Sequence, residues 1–283
     1  MSPHIDCPHC RGRIMFTLPD MWLEIKERVY LWYSDSSCET GRKIAAYLGI
    51  DGGTRAPNDS KTHVICWGMK RPNGWREQSG VTYLNKPSAI VENRNKRDAI
   101  QRFRNIGHIN TPVTYSNDEV VRPDFNRFPI IGRRISHQGG TDAVLCLDRT
   151  SAQRAIRNGT QFFLQYIPKD AEYRVNVFGD EIFMAYEKVL GPAETHTAMT
   201  DYVWSASNGW VFSDENRTDV PQEAQEVAIG AVRAAGLMFG AVDVIHGEDG
   251  HFYALEVNTA PSLIDRRVQL YAEKFKTEIV RAR

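Results

Sequence analysis

The chain has no net charge, no long apolar run and few cysteines, and each shortage removes a class of protein. Its 35 basic residues balance 35 acidic ones, so no global field gathers nucleic acid or an anionic membrane. No stretch of roughly 18 consecutive apolar residues occurs, which removes a membrane-spanning helix. The opening "MSPHIDCPHC" lacks the apolar centre of a secretory signal, so a cytoplasmic chain with reduced cysteines is expected. Of the five cysteines only Cys7 and Cys10 have ligand spacing. Their Cys-x-x-Cys reads as one knuckle of a zinc ribbon, but Cys38, Cys66 and Cys146 supply no second pair. The pair is half of a zinc site, a docking knuckle or an unmetallated remnant.

With 42% hydrophobic residues in 283, a sizeable core is available. Four stretches follow the Pro, Gly and polar breaks. Residues 1–20 hold the Cys pair. Residues 21–92 read as a small α/β domain: "RVYLWYS" and "THVICWG" are buried strands, and "CETGRKIAAYLGI" between them is a helix that Gly49 ends. Strand, helix, strand implies a parallel crossover. Residues 93–164 open with the helix "KRDAIQRFRNIG" and continue as a hairpin in "FPIIGRRISHQGGTDAVLCL", whose loop carries Gly139 and Gly140. Glycines there let backbone N–H groups approach phosphate oxygens. Residues 165–283 are strand-rich, with a turn at Gly179-Asp180 and a hairpin signal at Asn208-Gly209 between Trp204 and Trp210. They also hold the amphipathic helix "DVPQEAQEVAIGAVRAAG", with Asp219 read as its N-cap and Gly236 as its end.

The most informative segment is "GAVDVIHGEDGHFYALEVNTAP", which reads as strand, turn, strand. If "GEDG" forms the turn, His246 lies opposite His251 and Asp243 opposite Ala254. Asp243, Ala254, Glu256 and Asn258 then share one face; Val242, Val244, Leu255 and Val257 share the other, against the helix at 221–235. Two carboxylates and an amide oxygen on an open face suit Mg²⁺, a hard ion that leaves positions for phosphate oxygens.

These residues carry a resemblance. From about Arg28 to Leu263 the chain resembles the ATP-grasp superfamily, which includes D-alanine–D-alanine ligase, glutathione synthetase and ribosomal-protein glutamate ligases. The resemblance implies an α+β ATP-grasp fold preceded by a small α/β domain and the Cys-x-x-Cys segment. It implies two Mg²⁺ ions, with Asp243 and Glu256 as ligands, Glu256 bridging and Asn258 holding the second. Lys96 in "NKRDA" resembles the first phosphate lysine. "PIIGRRISHQGG" resembles the strand and loop that fold over ATP, with Arg133 where the family usually has lysine, and His137, Gly139 and Gly140 in the loop. "LQYIPKDAEYRV" resembles the adenine hinge, with Gln165 in place of the usual acid, Tyr166 and Ile167 acting through their backbone, and Glu172 on the ribose. Lys188 in "YEKVL" resembles the cation that reaches the phosphates. Arg133 and Lys188 then act on the transferred phosphoryl group, and Arg174, with Arg217 as a second choice, holds the substrate carboxylate or acyl intermediate.

The implied activity joins a carboxylate to an amine through an acyl phosphate, releasing ADP and phosphate. Its alternatives are a carboxylate kinase and a nucleotide-binding scaffold that docks a partner through Cys7 and Cys10. The expected partners are small-molecule or peptide carboxylates and amines, not membranes or nucleic acid; self-association is compatible with the sequence.

Overall fold

The computed structural model describes residues 4–6, 13–15, 17–136, 140, 142–192, 202–213 and 219–282. Cys7, Cys10, His137, Gly139 and Arg217 lie outside the described residues. The chain divides into two compact units, residues 1–87 with 260–283, and residues 88–259. Among the described residues no helix is long and apolar enough to cross a membrane.

The first unit begins with the paired strands β1 (His4–Asp6) and β2 (Arg13–Met15) and helix α1 (Leu18–Ile25). Then come β3 (Val29–Tyr33), α2 (Glu39–Leu48), β4 (Asp51–Gly53), β5 (His63–Trp67) and β6 (Thr82–Leu84). Strands β3 to β6 form a sheet of order β4-β3-β5-β6 in which every pairing is parallel. Near-continuous apolar strands such as "VYLWY" suit a parallel sheet covered on both faces. Helix α2 ends at Gly49, whose φ of 62° is the left-handed conformation that glycine adopts at least cost.

The second unit contains α3 (Pro87–Asn93), α4 (Lys96–Asn105), β7 (Thr114–Tyr115), α5 (Asn117–Val120), β8 (Ile130–Arg133), β9 (Val144–Cys146), α6 (Arg149–Arg157) and β10 (Phe162–Gln165). Its four strands make an antiparallel sheet of order β7-β10-β8-β9. Buried Ile100 of α4 packs on Phe162 and Leu164 of β10. The unit continues with β11 (Lys169–Phe178), β12 (Glu181–Leu190), β13 (Trp210–Phe212), α7 (Gln222–Ala234), β14 (Phe239–Gly247) and β15 (Phe252–Asn258). These strands form a five-stranded antiparallel sheet of order β13-β12-β11-β14-β15.

Helix α7 lies on one face of that sheet through Val227, Ala228, Ala231 and Val232, all buried. A Cβ on Gly240 of β14 would lie 3.7 Å from Val232 Cγ2 of α7 but only 2.5 Å from Val257 Cγ1 of the neighbouring β15. The final helix, α8 (Asp265–Arg281), returns to the first unit, where Tyr271 meets the fully buried Trp67 edge-on, with ring centroids 5.1 Å apart. The sequence boundaries at 92/93 and 164/165 follow motifs, whereas the packing groups divide at Pro87/Ser88 and again at Thr259/Ala260.

Three local expectations are corrected. Asn208-Gly209 does not join two strands; Ala206–Asn208 is a 3₁₀ turn, and left-handed Gly209 feeds β13 onto β12. Trp204 and Trp210 nonetheless stack face to face, 3.8 Å between centroids. Asp219 does not cap α7: the N-cap is Pro221, with no side-chain cap bond, while Gly236 takes the left-handed conformation after the helix.

The third correction is the register of β14 and β15. His246 pairs with Phe252 and Val244 with Ala254, but Asp243 pairs with Glu256. Leu255 is thus the extra residue of a one-residue register shift, the mark of a β-bulge. The turn sets the pairing one residue beyond the expected register, which by itself would put Leu255 opposite Asp243, and the bulge advances it one more, to Glu256.

Candidate active site

The side chains of interest lie in rows across the five-stranded sheet. Arg174 on β11 pairs with Asp243 on β14, which pairs with Glu256 on β15. One step along, Ala241 pairs with Asn258. Because side chains alternate faces, Glu172 on β11 shares the face of Arg174. Lys188 on β12 pairs with Phe212 on β13.

Every carboxylate in these rows is held by a cation. Arg174 grips Asp243 in a fork, Nε to Oδ1 at 2.7 Å and Nη2 to Oδ2 at 2.9 Å; such bidentate geometry is the strongest that an Arg–carboxylate pair offers. Lys96, the first residue of α4, donates to Glu256 Oε2, and Asn258 Nδ2 donates to Glu256 Oε1 at 2.9 Å. Glu172, only 4% exposed, accepts from both Lys169 and Lys188, and Lys188 also donates to the Trp204 carbonyl. Lys169 lies 4.6 Å from the Trp204 ring centroid, and the Arg174 guanidinium 4.2 Å from that of Phe212. Aromatic faces thus back the cations, an arrangement that the ring quadrupole favours.

Burial and charge pull against each other here. Burial raises the Glu256 carboxyl, yet Lys96, Asn258 and Arg174 together hold it down to about 2. Burial likewise raises Glu172, and Lys169 and Lys188 reverse the shift to below the ordinary value. For Lys169 burial wins: its ammonium is easier to deprotonate than usual, despite Glu172. For Arg174 burial is outweighed by Asp243, so the guanidinium is held charged.

The remaining sequence-predicted residues are placed as follows. Arg133, at the end of β8, bonds Asp142 through Nε at 3.3 Å and Nη2 at 3.4 Å, while the Arg134 amide donates to the same carboxylate at 2.7 Å. Gly140 has φ +70°. The Gln165 amide donates to the Val113 carbonyl at 2.8 Å and the Tyr166 amide to that of Pro129 at 3.4 Å; Ile167 is buried. Lys169, Asp142 and the bulged Leu255 escaped the sequence reading. Lys169 stands three residues before Glu172, a spacing that alternation assigns to opposite faces; a register shift between Lys169 and Ala171 overrides it.

Asp243, Glu256 and Asn258 fit a hard divalent cation. Beside Glu256 lies a small hollow of about 30 Å³, lined by Asn93, Lys96, Ala99, Leu255, Val257 and Asn258. Asn93 donates from Nδ2 to the Val257 carbonyl at 2.7 Å, and its buried Oδ1 has no hydrogen-bond partner. An all-oxygen set with a spare buried acceptor nearby is what Mg²⁺ and its waters take. Among the described residues no group of three or more His, Cys, Asp or Glu side chains could hold a metal, and none suits zinc.

Two antiparallel sheets in one unit, with cations and paired carboxylates on the strands of the larger, define an ATP-grasp architecture. Residues 100–274 match the RimK-like ATP-grasp domain, and the chain belongs to that family. The probable alpha-L-glutamate ligase 1 of Shewanella sp. (strain MR-4) is 24% identical over 192 residues, covering 66% of this chain and 62% of that protein. The probable alpha-L-glutamate ligase of Parasynechococcus marenigrum (strain WH8102) is 26% identical over 199 residues, covering 66% of this chain and 40% of that protein. The chain therefore spans less than two thirds of the length of these curated relatives. The fold is also that of the ATP-grasp ligase PsnB complexed with a minimal precursor: TM-score 0.65, 14% identity, 89% of this chain and 99% of that one. The D-alanine–D-alanine ligase from Bacillus anthracis superposes with TM-score 0.60 at 12% identity, over 90% of this chain and 98% of that one.

Proposed function

We propose that the chain is an ATP-dependent carboxylate–amine ligase working through an acyl phosphate. The observation that carries this reading is the row Arg174, Asp243, Glu256 on three adjacent strands, flanked by Lys96 and Lys188. It offers oxygen ligands and cations for phosphoryl transfer. Bound Mg²⁺, held by Asp243, Glu256 and Asn258, supplies charge neutralisation to the phosphates. Lys96, Arg133 and Lys188 bind phosphate oxygens, Glu172 takes the ribose hydroxyls, and Gln165 to Ile167 border the base. Gly140, at φ +70°, lets the backbone approach phosphate oxygens.

Arg174 orients the substrate carboxylate. A carboxylate oxygen attacks the γ-phosphorus, and the bond to ADP breaks. The amine then attacks the acyl carbon, phosphate leaves with the electron pair of the broken C–O bond, and the amine proton passes to solvent. Phe212 and the stacked Trp204 and Trp210 keep water from the cation row, which protects the acyl phosphate from hydrolysis. Because the curated relatives are named glutamate ligases, glutamate is the first amine to try, with small-molecule and peptide carboxylates as its partners.

The test supplies ATP, Mg²⁺, hydroxylamine and pools of carboxylates. The expected result is a hydroxamate together with ADP and phosphate. AMP and pyrophosphate would overturn the reading, since they require attack at the α-phosphate. Substrate-dependent ADP release with no amide formed from any amine would assign carboxylate kinase activity instead.

A further inference from the structure

The metal-site carboxylates are already neutralised by the chain's own cations, and these are the same side chains that the nucleotide and substrate need. Lys96 sits on Glu256 and Arg174 on Asp243. Neither pair is a loose surface contact: side-chain exposures are 22% and 26% for the first, 20% and 11% for the second. Among the described residues, Lys96, Lys169, Arg174 and Lys188 pair with Glu172, Asp243 and Glu256, four cations against three carboxylates. A divalent cation arriving alone would have to displace an ammonium or guanidinium and would add charge to a cluster already positive. A polyphosphate arriving alone would find its cations committed to carboxylates. Only together do they exchange cleanly, the metal taking the carboxylates, the phosphates taking Lys96 and the substrate carboxylate taking Arg174.

We infer that Lys96 and Arg174 are stand-in counterions of the metal site, and that metal enters by displacing them, Lys96 onto the nucleotide and Arg174 onto the substrate carboxylate. The inference rests on the proposed assignment of Asp243 and Glu256 to metal and of Lys96 to phosphate. Its consequence has an unusual sign. Removing the phosphate-binding lysine should strengthen, not weaken, the binding of metal in the absence of nucleotide, because Glu256 is then left without its competitor. By linkage, the factor by which ATP tightens metal binding equals the factor by which metal tightens ATP, so that shared factor should shrink in the same variant.

The experiment is a titration of the full chain with Mn²⁺, free ion followed by electron paramagnetic resonance, with and without a non-hydrolysable ATP analogue. Lys96→Gln, Lys96→Arg, Arg174→Gln and Glu256→Gln are compared with the parent, and near-ultraviolet circular dichroism checks each fold. Without nucleotide, Lys96→Gln should bind Mn²⁺ about tenfold more tightly than the parent, within the usual range of coupling between sites. Lys96→Arg keeps the counterion and should stay weak. Arg174→Gln should tighten binding through Asp243, and Glu256→Gln should lose it. Unchanged or weaker Mn²⁺ binding by a folded Lys96→Gln would overturn the exchange while leaving the metal assignment standing. A parent that binds no Mn²⁺ even with the nucleotide, or a Glu256→Gln variant that binds as the parent does, would overturn the metal assignment and the exchange with it.

Discussion

Glu172→Gln isolates the energetics of the cation row, because it removes one charge and almost no volume. Glu172 is 4% exposed, and the side chains of its partners Lys169 and Lys188 are only 9% and 10% exposed. Amidation leaves two ammonium groups out of water with no carboxylate. Breaking a buried ion pair from one side costs about 3–5 kcal/mol. The lower end applies here, because the Trp204 carbonyl still accepts from Lys188 and the Trp204 ring still faces Lys169, a cation–π contact of about 0.5–2 kcal/mol. A loss of about 3 kcal/mol corresponds to a melting temperature lower by roughly 6–12 °C in a domain of this size. The pH dependence has a definite sign. Burial outweighs Glu172 in lowering the Lys169 pKa below its ordinary 10.5, so the unfolded chain binds more protons and stability rises as pH climbs toward that value. Without Glu172 the lowering grows, and the rise should begin at lower pH. Urea unfolding at a series of pH values measures both effects. Adding Lys169→Met to Glu172→Gln should restore part of the lost stability. A Glu172→Gln variant within about 0.5 kcal/mol of the parent, or a double variant weaker than the single one, would refute the reasoning.

Glu256→Gln should abolish ATP-dependent turnover while leaving the circular dichroism spectrum unchanged; turnover at the parent rate would remove Glu256 from the metal site. The Glu256 carboxyl is raised by burial but drawn down by its cations to about 2 from an ordinary 4.5. Its stabilisation is therefore full above about pH 4.5 and fades as pH falls toward 2. Acid unfolding should be flatter in Glu256→Gln over that window, and parallel curves would contradict the assigned ion pair. Gly240→Ala should destabilise by about 1–3 kcal/mol through overpacking, since its Cβ would lie 2.5 Å from Val257 Cγ1 on the neighbouring strand; denaturant midpoints matching the parent would show that the Val257 side chain yields at no cost.

Much of the architecture is a local matter and could be read before folding was considered. The apolar run of "VYLWY", the helical spacing of Ile44, Ala45 and Leu48, and the stop at Gly49 are properties of neighbours in the chain, and β3, α2 and the left-handed Gly49 follow from them. Glu256 and Asn258 are two apart on β15 and hydrogen-bonded to each other, as strand alternation predicts. The Trp204 and Trp210 pair also needed only its spacing across a turn, although the turn itself is 3₁₀ rather than a two-residue hairpin.

What the sequence by itself determined, then, is which residues belong to strands and helices and which chemical groups the last strands carry. Which of those groups meet was decided by tertiary structure. A strand's alternation gives sides only while the register is unbroken, and here the extra residues Asp170 and Leu255 each shift it by one. One shift brings Lys169 onto Glu172, and the other sets Glu256 opposite Asp243. The pairing of Lys96 with Glu256 spans 160 positions of chain, a separation over which no local pattern acts. A bulge stabilises nothing within its own segment; it persists because of what the neighbouring strands and helices gain from it, and that gain exists only once the sheet has assembled.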